Sequence, residues 1–291
     1  MLNRKIDNEI DAHFSNSKKA LFLTGARQVG KTYSIRKYAK LHGLNLIEFN
    51  FLLQPEAMDI INGAGDVKEL LLRISAYSRV PLVRSKTLIF FDEVQECPDV
   101  MTWVKALVDE GSYIYALSGS LLGVELKDIR SVPVGYMSEM QVYPMDFEEF
   151  VSAVGVPENV LDAVKKSWSE KTLVDAYIHE KMMQLFQLYI IVGGMPAAVQ
   201  TYIDSNNIQN VVKEQRDIIN LYKKDIARYD QDVRKKLYIN EVFDLIPSEL
   251  NAKNKRFILK RLNENMTFGR HENDFIWLKD ADMALPTYNV E

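Results

Sequence analysis

A single cysteine, Cys97, is all that the 291-residue chain contains, which excludes an internal disulfide framework and any zinc site built from cysteines. Histidine is almost as scarce: His13, His42, His179 and His271 fall at no metal-ligand spacing, so no chemistry is assigned to them. Glycine and proline are few, 13 and 9. With 47% apolar and 26% charged residues, the chain reads as a helix-rich globular protein and not a disordered one. No apolar run reaches the roughly 18 residues of a membrane helix; the nearest approach, LFQLYIIVGGMPAAV (185–199), is broken by Gln187, a glycine pair and Pro196. No basic-then-apolar leader opens the chain, and a cytoplasmic protein without membrane contact is expected. Positive charge is not in excess either. The formal charge of −4 argues against non-specific nucleic-acid binding by the chain as a whole, although between Ser248 and His271 six cations (Lys253, Lys255, Arg256, Lys260, Arg261, Arg270) face two acids, Glu249 and Glu264. That stretch is either a solvated helix face or a surface for phosphates.

Up to about residue 150, short apolar β-rich runs alternate with helical patterns. ALFLT (20–24), LNLIEFN (44–50), TLIFFD (87–92), YIYALSGS (113–120) and SEMQVYP (138–144) read as five strands, with helices over about 31–41, 67–78 and 99–109. Such alternation predicts βαβ units and a mostly parallel sheet, and the unbroken apolar character of the runs predicts strands covered on both faces. Beyond PMDFEEF (144–150) the strand pattern stops. Asp146 with Glu149 three residues on is a capping-box start, followed by helices punctuated at 154–159, 193–196 and 203–207. From Ile246 a turn, a basic helix and an aromatic stretch read as a short ribbon suggest a winged helix. The expected organisation is a nucleotide-binding domain over 1–150, a helical lid over 151–240 and a winged-helix-like segment over 241–291.

The residues that carry chemistry begin at the end of the first strand. Gly25, Ala26, Arg27, Gln28, Val29, Gly30, Lys31 and Thr32 satisfy G-x-x-x-x-G-K-[ST] at every fixed position, and the pattern sits where it must, after a strand and before a helix. The glycines let backbone N–H groups converge on phosphate oxygens at a helix N-terminus. Lys31 is expected to reach the β- and γ-phosphates, and Thr32 to offer its hydroxyl to Mg²⁺. Arg27 has no role required by the pattern and is expected to pack or be solvated. At the end of the third strand, Asp92 is the expected second magnesium ligand. Glu93 beside it is the expected catalytic group that orients or deprotonates the attacking water.

These motifs, together with LSGSLLG, PVGYMSEMQVYPMDFEEF, GGMPAAVQTYI, IINLYKKDIARY and IPSELNAKNKRF, resemble those of prokaryotic predicted ATPases of the AAA superfamily. In that family an N-terminal AAA-like domain precedes a C-terminal domain of unknown function related to restriction endonucleases. The resemblance runs through essentially the whole chain and implies an α/β P-loop NTPase fold, a five-stranded mostly parallel sheet flanked by helices and followed by lid and winged-helix segments. It implies ATP and Mg²⁺ as ligands. It also implies a water-holding polar residue at the end of the fourth strand, for which Ser120 is the first candidate and Ser118 the second. Arg130 lies where such proteins carry a finger for a neighbouring subunit, so a homo-oligomer is a candidate state. Gly194-Met195-Pro196 resembles the G-x-P motif of signalling ATPases and places Pro196 near the base; the alternative is a plain helix start after a glycine turn. No clustered Asp and Glu-x-Lys set is found, and the chain looks truncated relative to the family. The functions expected are ATP hydrolysis coupled to lid and winged-helix movement, with DNA as a candidate target, or a nucleotide-gated switch with little turnover. A kinase is disfavoured by the Asp92-Glu93 pair.

Overall fold

The computed structural model of the chain describes residues 2–119, 135–229, 233–252 and 268–285. Five strands, β1 (Ala20–Thr24), β2 (Asn45–Asn50), β3 (Thr87–Asp92), β4 (Ile114–Ser118) and β5 (Met137–Gln141), form one sheet in the order β2-β3-β4-β1-β5, each neighbouring pair parallel. Alternate side chains leave opposite faces of a strand. Phe22, Phe49, Phe91 and Leu117 therefore enter one core and Leu21, Leu23, Leu88 and Phe90 the other. The first core is closed by α3 (Met58–Asn62), α4 (Val67–Tyr77) and α5 (Val100–Glu110), the second by α1 (Lys5–Asn16) and α2 (Lys31–Leu41). The fold is the α/β P-loop arrangement expected from the alternation. Helix α1 was not anticipated; Ile6, Ile10 and His13 form its buried face.

The helices that come next are α6 (Phe147–Ala153), α7 (Glu158–Glu170), α8 (Ala176–Val192), α9 (Pro196–Ser205) and α10 (Ile208–Tyr229). Asp146 caps α6 as expected, accepting from the Glu149 amide at 2.8 Å while Glu149 accepts from the Asp146 amide at 3.0 Å. The apolar stretch 185–199 is the junction of α8 and α9, which meet at 118°, and among the described residues no single helix is long and apolar enough to cross a membrane.

Two expectations about the C-terminal part are corrected. No turn opens at Ile246: α11 (Val233–Asn251) runs on through Pro247. An internal proline costs a helix about 3 kcal/mol, and here Ile239 and Val242 are fully buried, with Phe243 and Ile246 packed beside them, enough apolar area to outweigh it. The aromatic stretch read as a ribbon is the helix α12 (Phe268–Asp280). Among the described positions, Asp274, Trp277 and Leu278 are buried in it and Ala281 just past its end, a spacing of i, i+3, i+4, i+7 that a helix turns to one side. Ser120, Arg130 and the basic residues 253–261 lie outside the described residues.

Candidate nucleotide site

The carboxyl ends of parallel strands are where open α/β sheets bind ligands, and here those ends are polar: Asn50 on β2, Asp92 on β3, Ser118 on β4 and Thr24 on β1. The order of the sheet puts β4 between β3 and β1, so the loop after β1 and the acid at the end of β3 flank Ser118.

The loop itself needs its glycines for two reasons. Gly25 has φ 129°, and a β-carbon there would lie 2.2 Å from the Val142 carbonyl oxygen, backbone against backbone with nothing able to yield. Gly30 has φ 103° at the N-cap of α2, left-handed geometry that a β-carbon disfavours. The Lys31 ammonium is buried and donates to the carbonyls of Gly25 (2.7 Å) and Ala26 (2.8 Å). Burial lowers its pKa to about 8, while the charges of Glu93, Asp92 and Asp282 work the other way.

Thr32 and Asp92, sixty residues apart, meet at 3.1 Å. The Asp92 carboxylate also accepts from Asn50 Nδ2 at 2.9 Å and from the Ser118 hydroxyl. It is 2% exposed; burial pushes its pKa up, against the hydrogen bonds from Ser118 and Thr32. Each bond to a buried carboxylate contributes about 1.5–3 kcal/mol, so three together keep a costly buried charge in one orientation. Hard oxygens from one hydroxyl and one fixed carboxylate, with few other protein donors, are a set that fits Mg²⁺.

Glu93 comes next, in the left-handed region (φ 59°, ψ 50°) at the start of a 3₁₀ turn over Val94–Glu96. It borders a cleft of about 420 Å³ that Gln28, Gly30, Lys31 and Thr32 also line. Pro196 is the first residue of α9, a helix start after a glycine turn, and it borders the same cleft. Gly194 is needed there: a β-carbon would meet the Met145 carbonyl oxygen at 2.2 Å, and Met145 N donates to Gly194 O at 2.7 Å.

Several residues that hold the site left little or no trace in the sequence. Arg4, buried at the start of α1, donates to Val29 O (2.8 Å), Tyr143 O (2.7 Å) and Glu149 Oε1 (3.0 Å), tying the phosphate loop to the cap of α6. Nothing near it in the sequence signals this. Asn50 did leave a signal, a polar residue ending an apolar strand. Of the two states expected for Arg27, packed or solvated, it takes the first, and its partner is distant: Nη1 lies 2.7 Å from Asp225 Oδ1 on α10, and the Tyr222 hydroxyl donates to Arg27 O at 3.0 Å. Ser118, second choice for holding water, is committed to Asp92.

Residues 17–151 match the family model described as an AAA domain, and residues 183–291 match one described as a domain of unknown function (DUF8612). The chain carries a nucleotide-binding AAA domain. Among solved structures, a Walker-type ATPase of Pyrococcus abyssi is similar over 97% of this chain and 90% of that one, at 15% identity and a TM-score of 0.55, which shows a shared fold. Drosophila ORC bound to DNA (13% identity, 96% and 81% covered) and Aeropyrum pernix Orc1 in complex with DNA (16%, 97% and 84%) reach TM-scores of 0.42 and 0.37. No curated protein matches the chain.

Proposed function

We infer that the chain is an ATP-hydrolysing AAA-type enzyme. The observation that carries this is the meeting of Thr32 with Asp92 at 3.1 Å, with Lys31 and Glu93 bordering the same cleft. Residues that the chain separates by sixty positions converge where a triphosphate would end.

In this reading the loop amides between Gly25 and Thr32 grip the phosphates. Lys31 exchanges its two carbonyl partners for phosphate oxygens and opposes their charge. Thr32 and Asp92 hold Mg²⁺, which when bound neutralises phosphate charge. Asn50 and Ser118 keep Asp92 aimed at it. Glu93 places the attacking water and takes its proton as the water oxygen bonds the terminal phosphorus and the bond from that phosphorus to the bridging oxygen breaks, releasing ADP and inorganic phosphate. Pro196 closes the base side. The grip of α10 on Arg27 gives the helical part a direct hold on the loop and supports movement coupled to nucleotide state; the same contact favours a nucleotide-gated switch as the second reading. Steady-state turnover separates the two, and a specific activity that rises with protein concentration favours an arginine supplied by a second copy.

The decisive experiment compares wild type, Lys31→Ala and Glu93→Gln, with and without DNA. Lys31→Ala should lose nucleotide binding. Glu93→Gln should bind ATP with near-normal affinity yet hydrolyse it about 10²- to 10⁴-fold more slowly, the usual reach of a general base. Wild-type turnover by Glu93→Gln would remove that residue's role.

A further inference from the structure

β3 carries its buried side chains up to Asp92, and the chain then reverses at Glu93 in a conformation that residues with a β-carbon rarely adopt. The turn beyond it is tightly bonded. Glu96 N bonds Glu93 O and Cys97 N bonds Val94 O, both at 3.0 Å, while Val94 and Cys97 are sunk in the core. Within this clamped turn the side chain of Gln95 doubles back, and its Nε2 donates to Glu93 Oε2. An ionised carboxylate only accepts hydrogen bonds, so the amide has to present its NH₂ group; the pair has one chemically sensible arrangement. Backbone strain next to a cleft is a reason to look for function, and here the strain and the hydrogen bond act on the same side chain.

We propose that Gln95 is a positioning residue for hydrolysis, holding the Glu93 carboxylate in the place from which it addresses the attacking water. The proposal rests on the role given to Glu93 above. A glutamate side chain has three rotatable bonds, and cations border the same cleft: Lys31, whose ammonium feels the charge of Glu93, and Arg36, already engaged with Glu48 at 2.6 Å. Once the Gln95 amide is removed, Glu93 can swing toward those charges and away from the water. The loss falls on the chemical step and spares nucleotide binding, because Gln95 touches the Glu93 side chain and is not among the residues bordering the cleft.

The test is Gln95→Met, which keeps the bulk and removes the donor, in the full chain. With enzyme in excess over radiolabelled ATP, single-turnover hydrolysis should slow about 10- to 100-fold, as for one charge-assisted hydrogen bond lost. Affinity for a fluorescent ADP analogue should stay within about twofold of wild type, and in a Glu93→Gln background the same change should alter the rate by less than about twofold, because the two residues act as one unit. Gln95→Lys, which restores a donor, should recover part of the rate. Wild-type hydrolysis by Gln95→Met, a full further loss on top of Glu93→Gln, or a parallel loss of ADP affinity would each overturn the proposal while leaving Glu93 in its role. Wild-type hydrolysis by Glu93→Gln would bring down both.

Discussion

Replacing Asp225 by alanine tests whether the helical part holds the phosphate loop. The carboxylate is 3% exposed and the guanidinium of Arg27 11%. Deleting one member of a buried pair leaves the other charge where water scarcely reaches it, at a cost of about 3–5 kcal/mol. The lower end applies, since the slightly exposed guanidinium can rehydrate, so about 3 kcal/mol is expected. Replacing both partners with apolar residues of similar size is often close to neutral, so Arg27→Met with Asp225→Leu should recover most of the loss. The implied coupling energy is about 2–3 kcal/mol, near the top of the range for residues in contact. Urea unfolding followed by tryptophan fluorescence is a suitable assay, because Trp277 is 1% exposed in the cluster that contains Ile226 of α10. Asp225→Ala should also weaken nucleotide binding, as the loop loses an anchor. Additive costs in the double variant, or a single-variant cost below about 0.5 kcal/mol, typical of an ordinary surface site, would refute the idea that this ion pair fastens α10 to the loop.

Gly194→Ala drives a β-carbon against the Met145 carbonyl; a loss of about 1–3 kcal/mol is expected from overpacking, measurable as a lowered urea midpoint. Ser118→Ala removes a hydroxyl that orients Asp92, and the apparent Mg²⁺ affinity in the ATPase assay should fall about tenfold, as for other groups that orient a ligand. Burial raises the Cys97 thiol to about 11, so native protein at pH 8 should resist a disulfide-exchange reagent that reacts fully in urea. The unfolded thiol ionises first as pH rises from about 8.5, so this group's contribution to stability is lost between there and 11. Cys97→Val should therefore flatten the pH dependence of the urea midpoint in that window.

Contiguous residues determined what could be read without the structure. The strands ending at Thr24 and Asp92 were legible because both faces of each are buried, which leaves continuous apolar runs; β2, at the sheet edge, buries only the Ile47 and Phe49 face and carries Glu48 on the other. The phosphate loop was legible because one short stretch must bend, present its amides and start a helix, and only certain residues allow that. The cap of α6 was legible for the same reason, Asp146 and Glu149 being three residues apart. Tertiary structure alone decided what those pieces touch. Arg4 reaches Tyr143 and Glu149 across 139 and 145 positions, and Arg27 reaches Asp225 across 198; no local pattern specifies such partners, because packing of separate helices against the sheet brings them together. It also reversed two local readings. Pro247 stays within α11 and the residues after Phe268 wind into α12, since burying Ile239, Val242, Trp277 and Leu278 in one cluster outweighs the turn preference of a proline and the strand preference of aromatic side chains.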